Sequence, residues 1–267
     1  MSNAASTELN QYQTRGWLKF DFDPVLNDWV DWTLPYAKQC LSDESLAEWW
    51  RYQNTWFVGV NALANDKEGS IDSGPVLSGV AVDFMRQWLN FSLQDLDQAQ
   101  VSAIFSGYPK PHHSDSEAGF KYRLNRDAAH VDGLLKLGAN GERYALEYHQ
   151  YILAIPLNSV SALASPLVLW EKSHLLMRDR FKKFFDQYQK SEWPSTAVNE
   201  IYQQTRREIF MNFKRIEVSV QPGQALLIDR HMLHGTSPWR AEQGQDECGR
   251  LIAFFRPQYK SMQDWLA

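Results

Sequence analysis

His130, Asp132 and His234 are the residues whose types could jointly hold a divalent metal. In His130-Val131-Asp132 the two polar side chains stand two apart, so on an extended strand both point to one face. An imidazole nitrogen and a carboxylate oxygen then converge on one point. The pair alone is weak evidence, because with seven histidines in the chain a chance His-x-Asp arises in about one such sequence in three. A second segment adds to it. Pro222-Gly-Gln-Ala-Leu-Leu-Ile-Asp-Arg-His-Met-Leu-His234-Gly-Thr reads as a turn, an apolar strand, and a polar strand end carrying His231 and His234. Two histidines and one carboxylate on one face of a metal form the facial triad of non-haem iron sites and leave positions open. The same donors suit zinc, so the residue set leaves the metal undecided. The third feature is Arg250, at the head of the apolar run Arg250–Arg256. A guanidinium beside a metal can grip a carboxylate with two parallel hydrogen bonds. Arg240 competes with it for that role.

These side chains need a scaffold of short strands. Residues 24–53 carry apolar side chains at helical spacing, with Pro24 suited to a helix start and Pro35 predicting a break or kink. A second helix is expected over residues 75–100, with Val80, Phe84, Trp88 and Leu89 on one face, after a turn at Asn65–Gly69. From residue 101 the pattern predicts strands at Val101–Phe105, Phe120–Asp132, Tyr148–Leu157, Leu167–Trp170, Arg215–Val220, Gln224–Asp229 and Arg250–Arg256. Residues 175–213 interrupt them with charged, helix-forming sequence. The expected fold is mainly β with flanking α. It has a double-stranded β-helix (a jelly-roll or cupin-like core, about 101–258), an N-terminal helical part (about 10–100) and a helical insertion around 175–213. With no linker-like stretch between the parts, residues 1–267 read as one domain.

Strand parity extends the site. If Tyr122–Asp132 is regular, Tyr122, Leu124, Arg126 and Ala128 share the inward face with both ligands. Arg126 then predicts an anionic group on a small or medium organic substrate, against the alternative of a structural salt bridge. On the following strand Gln150 or Tyr148 is a candidate for completing, with Arg250, the site of a carboxylate cosubstrate, with the inward face left open. His174, Trp170 and Trp56 are candidates for the cavity wall, with structural packing as the alternative. His112-His113 sits in a Pro- and Ser-rich loop, where solvated histidines are expected.

Composition bounds the function. The 44% hydrophobic and 22% charged residues are ordinary for a soluble globular chain and exclude a disordered one. A net charge of −5 argues against nucleic acid as partner, because neutralising phosphates needs surplus Lys and Arg. No apolar run approaches the roughly 20 residues of a membrane span. Two cysteines, Cys40 and Cys248, make no disulfide framework, and the polar N-terminus lacks a secretory pattern, so a cytoplasmic location is expected. Oligomeric state is left open.

Together, His130-x-Asp132, His234-Gly-Thr after a Pro-Gly-x-x-Leu-Leu strand, and Arg250 resemble the Fe(II)/2-oxoglutarate-dependent dioxygenases, and within them the phytanoyl-CoA dioxygenase-like branch. Leu167-Val-Leu-Trp-Glu-Lys-Ser173-His174 is similar to that branch's strand-end Gly-Ser-His, with Lys172 in place of glycine. Tyr12-Gln-Thr-Arg-Gly16-Trp-Leu resembles its first helix and strand. The resemblance implies Fe(II), 2-oxoglutarate and O2 as cofactors, with His130, Asp132 and His234 as metal ligands and Arg250 with Thr236 on 2-oxoglutarate. It further implies hydroxylation of a small-molecule substrate with release of succinate and CO2. Halogenating relatives lack the carboxylate ligand, so Asp132 favours hydroxylation. Two features depart from the branch: the long stretch between His234 and Arg250, and Leu-Ile after Arg250 where many relatives have Arg-x-Ser. Two other readings stay open, a zinc-dependent hydrolase or isomerase on the same triad and a non-catalytic jelly-roll metal-binding or sensor protein.

Overall fold

The computed structural model describes residues 3–89, 96–111, 116–242 and 248–267. The chain opens with helix α1 (Asn3–Arg15), strand β1 (Trp17–Phe20) and helix α2 (Pro24–Ser42). Asp23 caps α2 by accepting the Val25 N–H, and Pro24 occupies the first turn, where no N–H is needed. Contrary to expectation, α2 runs through Pro35. Pro35 lies on the exposed side, where water can satisfy the carbonyl that its missing N–H leaves free, while Leu26, Trp29, Val30, Thr33 and Ala37 bury the opposite side. A 3-10 turn over Glu44–Trp49 leads to the short strands β2 (Trp50–Arg51) and β3 (Trp56–Phe57). Of the second expected helix, the described residues contain α3 (Val80–Trp88), which starts after Gly79 at φ 110°.

The remaining strands are β4 (Gln100–Ile104), β5 (Leu134–Leu137), β6 (Glu142–Ala145), β7 (Tyr151–Pro156), β8 (Leu167–Trp170), β9 (Arg215–Val218), β10 (Ala225–Asp229), β11 (His234–Thr236) and β12 (Arg250–Phe255). Between them stand helices α4 (Glu117–Arg126), α5 (Ser173–Phe185) and α6 (Asn199–Asn212), and α7 (Met262–Leu266) follows β12. Seven strands form a large antiparallel sheet in the order β1-β10-β7-β12-β4-β3-β2. A smaller sheet has the order β11-β8-β9, and β5-β6 is a separate hairpin. The architecture is mostly sheet with helices, and the large sheet does not close into a barrel.

Alternation along the strands divides the large sheet into two faces. Ile152 and Ala154 of β7, Leu226 and Ile228 of β10 and Ile252 of β12 pack against Leu167, Leu169 and Val218 of the small sheet. Leu153, Ile155, Leu227, Leu251, Ala253 and Phe255 point the other way, onto Trp29, Val30 and Met85 of α2 and α3. With both faces covered, the central positions of these strands are apolar, and only their polar ends, Asp229 and Arg250, mark a face. Helices α5 and α6, the expected insertion, cover the outer side of the small sheet, where Phe181, Tyr202 and Ile209 meet Val168 and Trp170.

One expected strand is a helix. Residues 120–126 belong to α4, whose Ser116 cap accepts the Gly119 N–H and whose Lys121 pairs with Glu117 one turn back at 2.6 Å. Asp127 and Ala128 then turn through the left-handed region. Only His130 remains extended, bridged antiparallel to His234. The hairpin β5-β6, turning between Gly138 and Gly141, had no strand predicted for it.

Candidate metal centre

The bridge between His130 and His234 is the first geometric fact of the site. Their backbones exchange two hydrogen bonds, His130 N–H to His234 O at 2.7 Å and His234 N–H to His130 O at 3.0 Å. This sets their rings 4.6 Å apart, centre to centre. Three contacts hold the two segments to that register. Gly235 admits the turn at residues 127–129, since a Cβ there would lie 2.1 Å from the Asp127 carbonyl oxygen. Thr236 N–H donates to that same oxygen. Ser173 Oγ accepts the Leu233 N–H at 2.9 Å, so the Ser-His segment after β8 steadies the strand one residue before the ligand position.

Each imidazole has its Nδ1 turned to a backbone carbonyl, Ala128 O for His130 and Met232 O for His234, both at 2.9 Å. A carbonyl can only accept, so Nδ1 carries the proton and each Nε2 offers its lone pair inward. Asp132 Oδ1 lies 3.1 Å from His130 Nε2 and 3.8 Å from His234 Nε2. Among the described residues, these three are the group of His, Cys, Asp and Glu placed to hold a metal ion, with ligand atoms within 4.8 Å of one another.

The electrostatics follow from this crowding. Burial alone would raise the Asp132 carboxyl, but Arg256 and the two imidazoles hold it well below its usual value. Burial opposes a charge on His130, yet its hydrogen bond to Asp132 and that carboxylate's charge outweigh it and raise its pKa. His234 is pushed down to about 4, by burial and then by His130. Three lone pairs aimed at one point repel one another unless a cation lies between them. A proton on His130 meets that need without metal, and a divalent ion meets it for all three donors. The donor set therefore fits a metal.

A cavity of about 160 Å³ opens from the triad between the two sheets. Arg250 lines it, buried, with Nη2 donating to Thr236 Oγ1 at 3.0 Å. Burial lowers its pKa to about 10, so it stays charged at neutral pH. Arg240 instead pairs with Glu217 on the surface. The cavity's other walls are Trp56, Val58, Val60, Gln100, Ser102, Ile152, Leu167 and Phe254.

Several expected site residues lie elsewhere. Arg126 is exposed at the end of α4, its guanidinium 4.7 Å from the Phe210 ring, so the inward cation read from strand parity is not there. Tyr122 donates to the Ala129 carbonyl at 2.7 Å and packs on Phe210. Gln150 precedes the regular part of β7 and donates to Gln258 O, while Ile152 supplies that strand's inward side chain. Trp170 lies one residue out of phase, on the outer face of β8 against Phe210 at 5.2 Å. His174 donates to Gln13 O and borders a separate cavity with Tyr12, Arg178 and Asp229. His231 is buried between Trp265 and Phe181, away from the triad. His112 and His113 lie outside the described residues.

Sequence reading missed Arg256, whose Nη1 donates to Asp132 Oδ2 at 3.1 Å. It also missed Gln100 and Ser102. The signal was available, because Arg250, Ile252, Phe254 and Arg256 share one parity, opposite Gln100 and Ser102 on β4.

No protein-family model matches the chain, and no curated protein matches it in sequence. Solved structures do match in shape. One is the non-heme α-ketoglutarate-dependent epimerase SnoN from nogalamycin biosynthesis, solved with Fe3+, α-ketoglutarate and nogalamycin RO. It is 14% identical, over 95% of this chain and 82% of that one, at TM-score 0.52. The α-ketoglutarate-dependent carbocyclase SnoK is 12% identical, over 96% and 84%, at 0.51. EctD from S. alaskensis with bound Fe is 12% identical, over 96% and 78%, at 0.51. The chain has the fold of the iron- and 2-oxoglutarate-dependent enzymes. The proteins it matches belong to the phytanoyl-CoA dioxygenase-like branch, the branch its motifs resemble. Among the described residues no helix is long and apolar enough to cross a membrane.

Proposed function

We propose that the protein is an Fe(II)- and 2-oxoglutarate-dependent oxygenase, built on a jelly-roll core, that hydroxylates a small organic molecule. The observation that carries this reading is the placing of a buried, charged Arg250 in the same cavity as the convergent triad. A metal held by His130, Asp132 and His234 needs no such cation for zinc hydrolysis, whereas a dicarboxylate bound at the metal does. Bound iron would supply the oxidising chemistry, drawing on 2-oxoglutarate and O2 and releasing succinate and CO2.

The chain's own residues do the rest. The two histidines turn Nε2 toward the site, because each Nδ1 donates to a carbonyl, Ala128 O or Met232 O, so in the neutral ring the Nε2 lone pair is free for a metal. Arg250 grips the far carboxylate of 2-oxoglutarate, and Thr236 Oγ1, accepting from its Nη2, fixes the fork's orientation. Trp56, Val58, Val60 and Phe254 give the substrate an apolar wall and keep bulk water from the reacting centre. Asp132 fills the third ligand position, which favours hydroxylation over halogenation. SnoN and SnoK, similar in fold, are an epimerase and a carbocyclase, so identifying the product is part of testing this reading.

The test is an anaerobic visible difference spectrum, with Fe(II) and then 2-oxoglutarate added to metal-free protein. A charge-transfer band that requires both, is lost in His130→Ala and needs at least about tenfold more 2-oxoglutarate in Arg250→Ala supports the reading. Tight metal binding without a band overturns it and favours zinc chemistry or a non-catalytic role.

A further inference from the structure

We infer that Arg256 is a positioning residue for the metal: it commits one oxygen of Asp132 and so fixes which oxygen is left as ligand. The inference rests on the reading of His130, Asp132 and His234 as a metal centre. Asp132 uses its two oxygens differently. Oδ1 faces both imidazole Nε2 atoms, at 3.1 and 3.8 Å, whereas Oδ2 faces Arg256 Nη1 at 3.1 Å. A free carboxylate rotates about its last bond and can offer one oxygen or both. With Oδ2 occupied by a charged hydrogen bond, the group turns only at the cost of breaking that bond. A metal held here would then take one oxygen of Asp132 together with the Nε2 atoms of His130 and His234.

Arg256 is itself held on both sides of its backbone. The Asp97 carboxylate accepts its N–H, at 2.9 and 3.1 Å to the two oxygens. His149 Nδ1 donates to its carbonyl at 2.8 Å, and His149 Nε2 lies 3.2 Å from Glu147 Oε2. This clamp stands just beyond Phe255, where the regular ladder of β12 gives way to the isolated bridge between His149 and Gln258. The Asp97 carboxylate and the His149 imidazole therefore fix the backbone from which the Arg256 guanidinium reaches Asp132 through Nη1. A surface salt bridge would need no such fixing.

The proposal concerns affinity and spectrum as well as rate, so it can be tested with metal alone. Anaerobic Fe(II) titrations on metal-free wild type, Arg256→Gln and Arg256→Lys are compared, with thermal melting of each metal-free protein as the folding control. Arg256→Gln is expected to melt near wild type and to bind Fe(II) about 10- to 100-fold more weakly, the usual effect of losing a partner of a metal ligand. Arg256→Lys, which keeps a charged donor, is expected to recover much of that loss. On adding 2-oxoglutarate, the visible band should be displaced in Arg256→Gln relative to wild type. Equal Fe(II) affinity in all three proteins overturns the inference and leaves the proposed function standing. So does a Gln variant whose melting falls in step with its metal binding and is not rescued by Lys. Metal binding that depends on Arg256 in a wild type with no 2-oxoglutarate band overturns the proposed function and leaves the inference standing. A wild type that binds no metal overturns both.

Discussion

At the residue scale, the site is a problem of three lone pairs and one proton. Against its burial, His130 is drawn toward an extra proton by the Asp132 carboxylate, which holds its pKa above the ordinary histidine value. A metal must displace that proton. The sign follows directly: above the His130 pKa no proton competes, and below it affinity falls by about tenfold for each pH unit as one proton is released per ion bound. His234 adds no second competitor near neutrality, because its pKa is pushed down to about 4. Calorimetric titration of the metal in buffers of different ionisation enthalpy should return close to one proton released per ion below that pKa. The value should tend to zero above it. In Asp132→Asn the carboxylate no longer raises His130, so the onset of proton release should move to lower pH, on top of a weaker overall affinity.

At the element scale, the ligands are placed by a turn and a bridge rather than by a strand. Gly235 separates His234 from Thr236 and has no room for a side chain, its would-be Cβ being 2.1 Å from a backbone oxygen. Gly235→Ala must push the 127–129 turn away. The expected cost is about 1–3 kcal/mol, as for overpacking generally, with metal affinity falling as His130 moves with the turn. Urea unfolding and metal titration on one preparation check both. Arg126→Ala is expected to do little. It removes a contact with Phe210 at an exposed site, worth about 0.5–1 kcal/mol, and should leave 2-oxoglutarate binding unchanged. A change in the spectrum of the loaded metal centre in Arg126→Ala, with the fold intact, would return Arg126 to the cavity. This pair of residues marks where sequence was legible and where it was not. The convergence of His130, Asp132 and His234, with Arg250 lining the same cavity, was legible because few residue types can hold a metal or a carboxylate. The inward set at residues 122–128 was not, because alternation was assumed across a segment whose Ser116 cap and left-handed Asp127 make it helix and turn. The ranges of β7, β8, β10 and β12 are legible in the sequence, and of the two uses open to Trp170, cavity wall or packing, the structure has packing. In β8, apolar residues at every position carry no alternation signal.

At the scale of the whole molecule, the large sheet separates stability from function by face. Along β12 the odd positions Leu251, Ala253 and Phe255 enter the core under α2 and α3, and the even positions Arg250, Phe254 and Arg256 line the cavity. Adjacent phenylalanines therefore have different jobs. Phe255 is fully buried with its ring 5.8 Å from Trp29, whose Nε1 donates to Gly69 O. Phe255→Ala leaves a cavity in the main core and is expected to cost about 3–5 kcal/mol, while the site on the far face keeps its geometry in the protein that stays folded. Phe254→Ala removes part of a wall that already borders open space, so its cost in unfolding free energy should be well under that of its neighbour. Its effect should appear in the visible spectrum of the metal and 2-oxoglutarate complex, whose surroundings it opens to water. Chemical unfolding of the metal-free variants gives the first comparison, and difference spectra of the loaded ones the second. If both substitutions destabilise alike and neither alters the spectrum, the two faces are not divided in this way. The alternation that places Arg250 and Arg256 in one cavity would then have to be abandoned along with it.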